Sequence, residues 1–300
     1  MTADGKPETI GLIGLGLVGT AIAEHLLEAG YGVIGFDIDP ARGKALAKLG
    51  GRAVSGPLEV ADGADRVILS LLTTEVVCQV VEGDGGLLQA AGPPHTIIDT
   101  TTGTPDETMA LAGRLEARGI AFLDATISGS SQQIRDRQAL FMVGGAAAAY
   151  AACEDLLRVI TDKAMHVGPS GSGSKAKLAS NLILGLNRLV LAEGLVFADR
   201  LGLDLEAFLD LLRQSPAYSR AVDVKGDKMV KGDFTPQARV SQHDKDLEII
   251  LACAEAVGQE LPLAQLHHQI LQDLMAGGDG DLDCSAVIEA IRRKQTGSGK

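Results

Sequence analysis

A lysine and an asparagine four residues apart are the side chains of this 300-residue sequence best placed to do chemistry. Lys177 and Asn181 follow the glycine turn Gly171-Ser172-Gly173. They lie near the start of a stretch, 174–201, that has no proline and predicts one long helix. Residues four apart project from the same helix face, about 6 Å from one another. An amine beside an amide could hold and deprotonate one substrate. The alternative is a solvated face at an ordinary helix start.

A strand, a glycine turn and a helix near the N-terminus predict a nucleotide site. The apolar run 9–13 precedes Gly14-x-Gly16-x-x-Gly19, and an apolar stripe at four-residue spacing follows. In that context the first glycine permits a tight turn, the second admits a pyrophosphate, and the third allows close packing of helix on strand. A methyltransferase can carry a similar turn. The predicted cofactor contacts here are Gly14, Gly16, Leu17, Val18 and Gly19.

An acidic residue stands at the distance expected for a ribose contact. The second apolar run, 31–36, ends in Asp37, roughly twenty residues after the glycines. A carboxylate there accepts hydrogen bonds from ribose hydroxyls and repels a 2′-phosphate, which favours NAD over NADP. Arg42 softens this preference, so NADP stays possible. The segment 37–40 is also a plausible helix start, because Asp39 precedes a proline.

Strand-like and helix-like segments alternate over roughly the first 165 residues, which predicts a Rossmann-like, doubly wound, mostly parallel α/β sheet. Ligands of such sheets lie beyond the carboxyl ends of the strands, where 72–74 and 100–102 stand, although their threonines could simply cap helices. A further strand is expected to end at Asp124. Its exit loop, 125–133, could bind an anion or be only a flexible polar loop.

From residue 174 onward the strand signal disappears. After the long helix, further helices are predicted at about 204–213, 217–231, 238–257, 262–276 and 281–293. The expected domains are a dinucleotide-binding domain (1–167), an all-helical substrate and dimerisation domain joined through the long interdomain helix (168–295), and a disordered tail (296–300).

Composition excludes several classes of function. A net charge of −12 argues against a broad nucleic-acid or anionic-membrane surface. The four cysteines form no CxxC pair, and no metal-ligand cluster is visible, which favours a reducing, cytoplasmic location. The most apolar long run, 182–203, contains charged residues, which argues against a membrane span.

Four separated segments resemble the β-hydroxyacid dehydrogenase family, which includes 3-hydroxyisobutyrate dehydrogenase and tartronate semialdehyde reductase. Gly11-Leu-Ile-Gly-Leu-Gly-Leu-Val-Gly19 is similar to the family's GxIGLGxMG. Residues 124–129 and 142–145 are similar to DAPVSGG and MVGG. Gly171-x-Gly173-x-x-x-Lys177-x-x-x-Asn181 matches the catalytic motif, and 245–247 matches a late KDL. The order and spacing of these segments span nearly the whole chain.

The resemblance implies oxidation of a small β-hydroxyacid to its semialdehyde or keto acid with NAD(P), or the reverse, by a homodimer or tetramer formed through the helical domain. It implies that Lys177 is catalytic and that Asn181 binds the substrate. The remaining implied contacts are Ser128 and Gly129 for the substrate, and Thr102 and Lys245 for the cofactor. Ser130, next to that substrate pair, is a further candidate substrate contact, and Leu72, at a strand end, is a further candidate cofactor contact. An aldehyde-acid or imine reductase and a non-catalytic NAD-binding protein are the alternatives.

The segment 126–135 departs from the family pattern and leaves the particular substrate open. Thr126 replaces the usual proline, Ser130 replaces the second glycine of SGG, and the residues that follow are bulkier and more polar. Arg135 or Arg137 could add a second polar contact to the substrate or be an ordinary surface arginine.

Overall fold

The computed structural model describes residues 8–293, which form two compact units, one ending at Lys177 and the next beginning at Leu178. The expected boundary after residue 167 stays a prediction. The contacts place the division later because the first turn of the long helix packs in the first unit. The expected tail, 296–300, lies outside the described residues.

The first unit is built on an eight-stranded sheet with strand order β3-β2-β1-β4-β5-β6-β7-β8. Its strands are β1 Thr9–Ile13, β2 Gly32–Phe36, β3 Arg52–Ala53, β4 Arg66–Leu69, β5 Thr96–Asp99, β6 Ala121–Ser128, β7 Leu140–Gly144 and β8 Lys163–Gly168. All neighbouring strands are parallel except β6 and β7, which are antiparallel. The predicted Rossmann-like, doubly wound and mostly parallel sheet is therefore confirmed.

Helices cover this sheet. They are α1 Leu17–Glu28, α2 Pro40–Lys48, α3 Pro57–Ala61, α4 Thr74–Glu82, α5 Pro105–Glu116, α6 Ser131–Arg135 and α7 Ala147–Ile160. Because successive strand residues point to opposite faces, β1 contributes Ile10 and Leu12 to one apolar cluster and Ile13 to another. Both faces of the sheet are thus buried at its centre, as parallel sheets require, whereas the edge strands β3 and β8 are largely exposed.

The strand β6 is longer than the sequence predicted, and the expected exit loop 125–133 is mostly regular structure. Pairing with β7 runs from Asp124 opposite Gly144 to Ser128 opposite Leu140. The strand continues because Ala125 and Ile127 are buried in the sheet's apolar cluster. The helix α6 then follows, so the alternative of a flexible polar loop is wrong.

The second unit is helical, as predicted. The long helix α8, Ser172–Arg200, starts in the first unit and continues into the second. It is followed by α9 Leu205–Gln214, α10 Asp227–Lys231, α11 Val240–Ala256, α12 Pro262–Ala276 and α13 Val287–Arg293. The predicted helix 217–231 is helical from residue 220 onward, with a π-helical segment, Val222–Gly226, that continues into α10. A 3₁₀ turn, Cys284–Ala286, leads into α13.

The helix α8 carries an exposed apolar stripe. Ile183, Val190 and Phe197 recur every seven residues and are each more than 60 % exposed. Gly194 lies on the same stripe, with open space where a Cβ would be. Among residues 8–293, α8 is the one helix whose length and composition would suit a membrane span, a test that core helices of soluble proteins also pass.

Candidate active site

The three glycines after β1 differ in what they permit. Gly14 has φ +92°, and an added Cβ would lie 2.1 Å from the carbonyl oxygen of Ser70. A Cβ at Gly19 would lie 1.9 Å from the carbonyl oxygen of Gly14, so neither position admits a side chain. Gly16 is different, because the nearest atom to its Cβ position is the Arg42 guanidinium at 3.6 Å. Gly16 is the N-cap of α1 and provides no side-chain cap, so the arrangement fits a pyrophosphate bound at the helix N-terminus.

Asp37 is held in one orientation at the end of β2. Its carboxylate accepts hydrogen bonds from the Leu15 amide at 2.7 Å and the Asp39 amide at 2.9 Å. The Arg42 guanidinium donates a third at 3.2 Å, while the Asp37 side chain is only 4 % exposed. A carboxylate has about four acceptor sites, so one remains for a ribose hydroxyl.

Exposed apolar side chains mark the carboxyl edge of the sheet. Leu17 is 75 % exposed and Leu72 79 %, and both were predicted to contact the cofactor. Ile38, which is 90 % exposed directly after Asp37, was not. Its signal in the sequence was an isoleucine between two aspartates. Val18, by contrast, packs partly buried against the apolar cluster.

The threonines at the strand ends divide into two groups. Thr73 caps α4 by accepting the Val76 amide, and Thr100 donates its hydroxyl to the Leu69 carbonyl at 2.8 Å. Thr101 accepts the Leu71 amide at 3.1 Å. The helix-capping alternative therefore holds for Thr73, whereas Thr100 and Thr101 bond to the backbone at the end of β4. Thr102 is half-buried at the same strand end and stays a predicted cofactor contact.

Two carboxylates lie side by side where β5 and β6 pair, because Asp99 is the register partner of Asp124. Burial raises the pKa of Asp99 to about 7, and the nearby charge of Asp124 adds to this, although Thr101 opposes it. Burial also raises the pKa of Asp124, against the hydrogen bonds that its carboxylate accepts. The Asp99 carboxyl therefore changes its charge near neutral pH, three residues before Thr102.

Asp124 anchors the start of α8. Its carboxylate accepts the Gly171 and Ser174 amides, each at 2.8 Å, and Thr126 donates its hydroxyl to the Gly173 carbonyl. A Cβ on Gly173 would lie 2.2 Å from the Asp124 carbonyl oxygen, which explains the glycine. Lys177 follows one turn later, so this buried carboxylate fixes the part of the helix that carries the lysine.

The predicted carboxylate-binding segment ends in a folded turn. Ser128 closes β6, and Gly129 has φ +151°, a conformation that favours glycine. Ser130 forms a capping box with Gln133: the Ser130 amide donates to the Gln133 side chain at 2.9 Å, and the Ser130 hydroxyl oxygen accepts the Gln133 amide. The Ser130 amide is therefore already bonded, and the hydroxyl is the group that Ser130 retains for a substrate.

The two arginines near this turn make other contacts. Arg135 donates to Glu24 of α1 at 2.7 Å and 3.3 Å. Arg137 donates to Asp162 at 2.7 Å and to the Val159 carbonyl at 2.6 Å. Because both arginine side chains are bonded within the protein, the structure favours a structural role for them over a second substrate contact.

The second unit brings together three of its polar residues. Asn181 is 5 % exposed and donates its side-chain amide to Asp246 at 2.9 Å. Lys245 places its Nζ 3.8 Å from the other oxygen of Asp246. Asp246 was not assigned a role from the sequence, although it lies inside the KDL motif. It fixes the amide so that the Asn181 carbonyl oxygen remains as an acceptor.

A buried ion pair fixes the start of α11, the helix that carries Lys245. The Lys225 ammonium donates to both oxygens of Asp283, at 2.8 Å and 2.9 Å. Asp283 also accepts the amides of Gln237 and Ala238, just before α11 begins. Burial opposes its ionisation, but these hydrogen bonds outweigh burial and hold the pKa of Asp283 well below its usual range.

Comparison with known proteins places the chain. Residues 9–168 match a family model described as the NAD binding domain of 6-phosphogluconate dehydrogenase. Residues 171–291 match one described as the NAD-binding domain of NADP-dependent 3-hydroxyisobutyrate dehydrogenase.

Similar proteins extend this over the full length. The chain is 32 % identical to 2-(hydroxymethyl)glutarate dehydrogenase of Eubacterium barkeri, covering 95 % of both chains. It is 32 % identical to L-threonate dehydrogenase of Cupriavidus necator over 93 % of this chain and 95 % of that one. The solved structure of Mycobacterium tuberculosis 3-hydroxyisobutyrate dehydrogenase with L-serine is 29 % identical, with a TM-score of 0.86 over 95 % of this chain and 99 % of that one. The chain therefore belongs to the β-hydroxyacid dehydrogenase family of NAD(P)-dependent oxidoreductases.

Proposed function

We propose that the protein oxidises a small β-hydroxyacid to its semialdehyde or keto acid, or catalyses the reverse reduction, with Lys177 as the proton acceptor or donor. The observation that carries the proposal is the placement of Lys177 on α8. It lies one turn after the start anchored by Asp124 and one turn before Asn181, whose amide Asp246 holds. The names of the relatives support small hydroxyacids as the substrate class.

Each residue has a role in the proposed reaction. NAD(P), when bound, supplies the hydride acceptor. Lys177 takes the hydroxyl proton as the carbonyl forms, or returns it in reduction. The Asn181 carbonyl oxygen orients the hydroxyl or the lysine, and the Ser128 hydroxyl with the Gly129 amide binds the substrate carboxylate.

The test is Lys177→Ala beside Lys175→Ala. Lys175 lies on the same helix, is exposed, and contacts the Met109 sulfur, so it is a matched control. A panel of β-hydroxyacids is assayed with NAD and NADP in both directions. We expect Lys177→Ala to lower kcat by about 10²- to 10⁴-fold with cofactor affinity retained, and Lys175→Ala to stay near the unchanged protein. Equal turnover in the two variants would exclude the lysine role. Cofactor binding without turnover of any acid would favour a non-catalytic protein.

NAD is the proposed preferred cofactor, because the Asp37 carboxylate is buried where it would repel a 2′-phosphate. The half-exposed Arg42, which pairs with Asp37 and Asp39, supports use of NADP as well. A comparison of kcat/KM for the two cofactors tests the order.

A homodimer or tetramer formed through the helical unit is also proposed. The stripe on α8 supports it, since Ile183, Val190 and Phe197 are exposed at seven-residue spacing and Gly194 would let a second helix approach closely. Sedimentation of Phe197→Glu against the unchanged protein is the test, and an unaltered mass would refute this interface. A detergent requirement for solubility would instead favour a lipid contact.

A cytoplasmic location remains a proposal as well. Cys78, Cys153 and Cys284 are free thiols whose pKa values burial raises, which suits a reducing compartment. Cell fractionation with a soluble marker enzyme would test it.

A further inference from the structure

The helix α6, which lies in the atypical segment after Ser128, is bonded to α1, the helix that follows the glycine motif. Arg135, the last residue of α6, donates through Nε and Nη2 to the two carboxylate oxygens of Glu24 on α1. Each side chain is only 33 % exposed. A two-bond arginine–carboxylate pair holds orientation as well as distance, which a single ion pair does not.

A second polar contact lies beside the first. His25 of α1 approaches the Ile134 carbonyl oxygen with its Nε2 at 2.8 Å. Because a carbonyl only accepts, Nε2 carries the proton and donates. Ile134 itself is fully buried in the cluster that also contains Ile22 and Leu26 of α1. The helix α6 is therefore held against α1 by one ion pair, one hydrogen bond and one apolar contact.

These contacts connect the helix at the proposed pyrophosphate site to the segment that follows the proposed substrate contacts. Gly16 is the N-cap of α1, and the space at its Cβ position leaves room for a pyrophosphate. The N-cap of α6 is Ser130, which directly follows the proposed carboxylate contacts Ser128 and Gly129. Of the contacts that join α6 to α1, the Glu24–Arg135 pair is the one made by two side chains with two hydrogen bonds.

We propose that Glu24 and Arg135 are positioning residues. Through this pair, the helix α1 sets the location of residues 128–130, which are proposed to bind the substrate. The proposal rests on the proposed function for its kinetic readout. It makes Arg135 a determinant of substrate affinity without contact to the substrate. Cofactor binding at α1 and order in α6 are then coupled, and such coupling is reciprocal.

The variants are Glu24→Gln, Arg135→Met, their combination, and Arg135→Lys. The matched control is Arg114→Met, because Arg114 and Glu82 form an equivalent two-bond pair, at 2.7 Å and 2.7 Å, between α5 and α4. We expect Arg135→Met to raise the KM for the hydroxyacid about three- to tenfold with kcat within about twofold, and Arg135→Lys to restore part of the loss. The double variant should be no worse than the single ones, since both remove the same interaction.

Hydrogen exchange gives a readout independent of turnover. In the unchanged protein, NAD should slow exchange of the amides in 131–139, and Glu24→Gln or Arg135→Met should weaken that slowing at least about threefold. Arg114→Met should leave it unaltered. The proposal is overturned if NAD does not slow these amides in the unchanged protein, or if Arg135→Met matches Arg114→Met in both exchange and KM. If NAD slows exchange as expected but no hydroxyacid is turned over, the proposed function is refuted and the positioning role of Glu24 and Arg135 is retained.

Discussion

Removal of the Lys225 ammonium should destabilise the helical unit far more than removal of a surface charge. Lys225 is 6 % exposed and Asp283 is not exposed at all. In Lys225→Met the aspartate would stay buried with its charge, held by backbone amides, the Ser285 hydroxyl and a weak bond from the Cys284 thiol. Breaking a buried pair by removing one partner costs about 3–5 kcal/mol.

The remaining hydrogen bonds place the expected loss at the lower end of that range. Asp283 keeps the amides of Gln237, Ala238 and Ser285, at 2.9 Å, 3.1 Å and 3.1 Å. We therefore expect Lys225→Met to lower the free energy of unfolding by about 3 kcal/mol. Asp283→Asn should cost at least as much, because its side-chain N–H₂ would face donors. The double variant should fall short of the sum by about 1–3 kcal/mol, because the two side chains interact directly.

The assay is urea unfolding followed by circular dichroism, with Arg213→Met as the control. Arg213 pairs with Asp210, Asp223 and Asp227 at the surface, where such pairs contribute about 0–1 kcal/mol each. Because the pKa of Asp283 is depressed, its contribution is present above the unfolded value near 4 and is lost as pH falls below it. The gap between Lys225→Met and the unchanged protein should therefore narrow in acid. A loss at neutral pH no larger than that of Arg213→Met would refute the reasoning.

Three further changes have defined outcomes. Asp99→Asn should make the free energy of unfolding less dependent on pH. The folded pKa of about 7 lies above the unfolded value, so the stabilisation from Asp99 is present below about pH 4 and is lost as the pH rises to 7, by at most about 1.4 kcal/mol per pH unit. Urea midpoints measured from pH 4 to 8 should therefore vary less in the variant. Gly14→Ala should abolish cofactor binding measured by calorimetry, because its Cβ would lie 2.1 Å from the Ser70 carbonyl oxygen at φ +92°; binding within tenfold of normal would count against the turn geometry. Arg42→Gln should raise the KM for NADP several-fold and leave that for NAD within about twofold, and equal changes for both would show that Arg42 acts only by holding Asp37.

The sequence predicted most of the parallel sheet, because most of its strands are short apolar runs bounded by glycine or polar residues. It missed β3, which is only two exposed residues, Arg52–Ala53, and has no apolar run to mark it. It also missed the end of β6. Ser128 and Thr126 look like loop residues, but pairing with β7 and the Thr126 hydroxyl bond to Gly173 keep them in the ladder. Likewise, nothing local marks 217–231 as other than a helix, and the π-helical segment is visible only in the folded unit.

The candidate site shows the same division. Local spacing singled out Lys177, Asn181 and the glycines as candidates. It could not identify partners far away in the chain: Asp246 lies 65 residues from Asn181, and Glu24 lies 111 residues from Arg135. Such contacts depend on the tertiary fold, so a pattern within one segment contains no sign of them.

The antiparallel pairing of β6 with β7 has a consequence for how substrate range could change in this family. Ser128 and Leu140 are opposite one another, so the segment connecting them starts and finishes at the same edge of the sheet. Parallel neighbours need a crossover, whereas this connection is a closed excursion whose length and sequence can vary without moving another strand. Under the proposed function, in which residues 128–130 bind the substrate, substrate recognition can therefore diverge in this connection while β1, β2 and β4 keep their register.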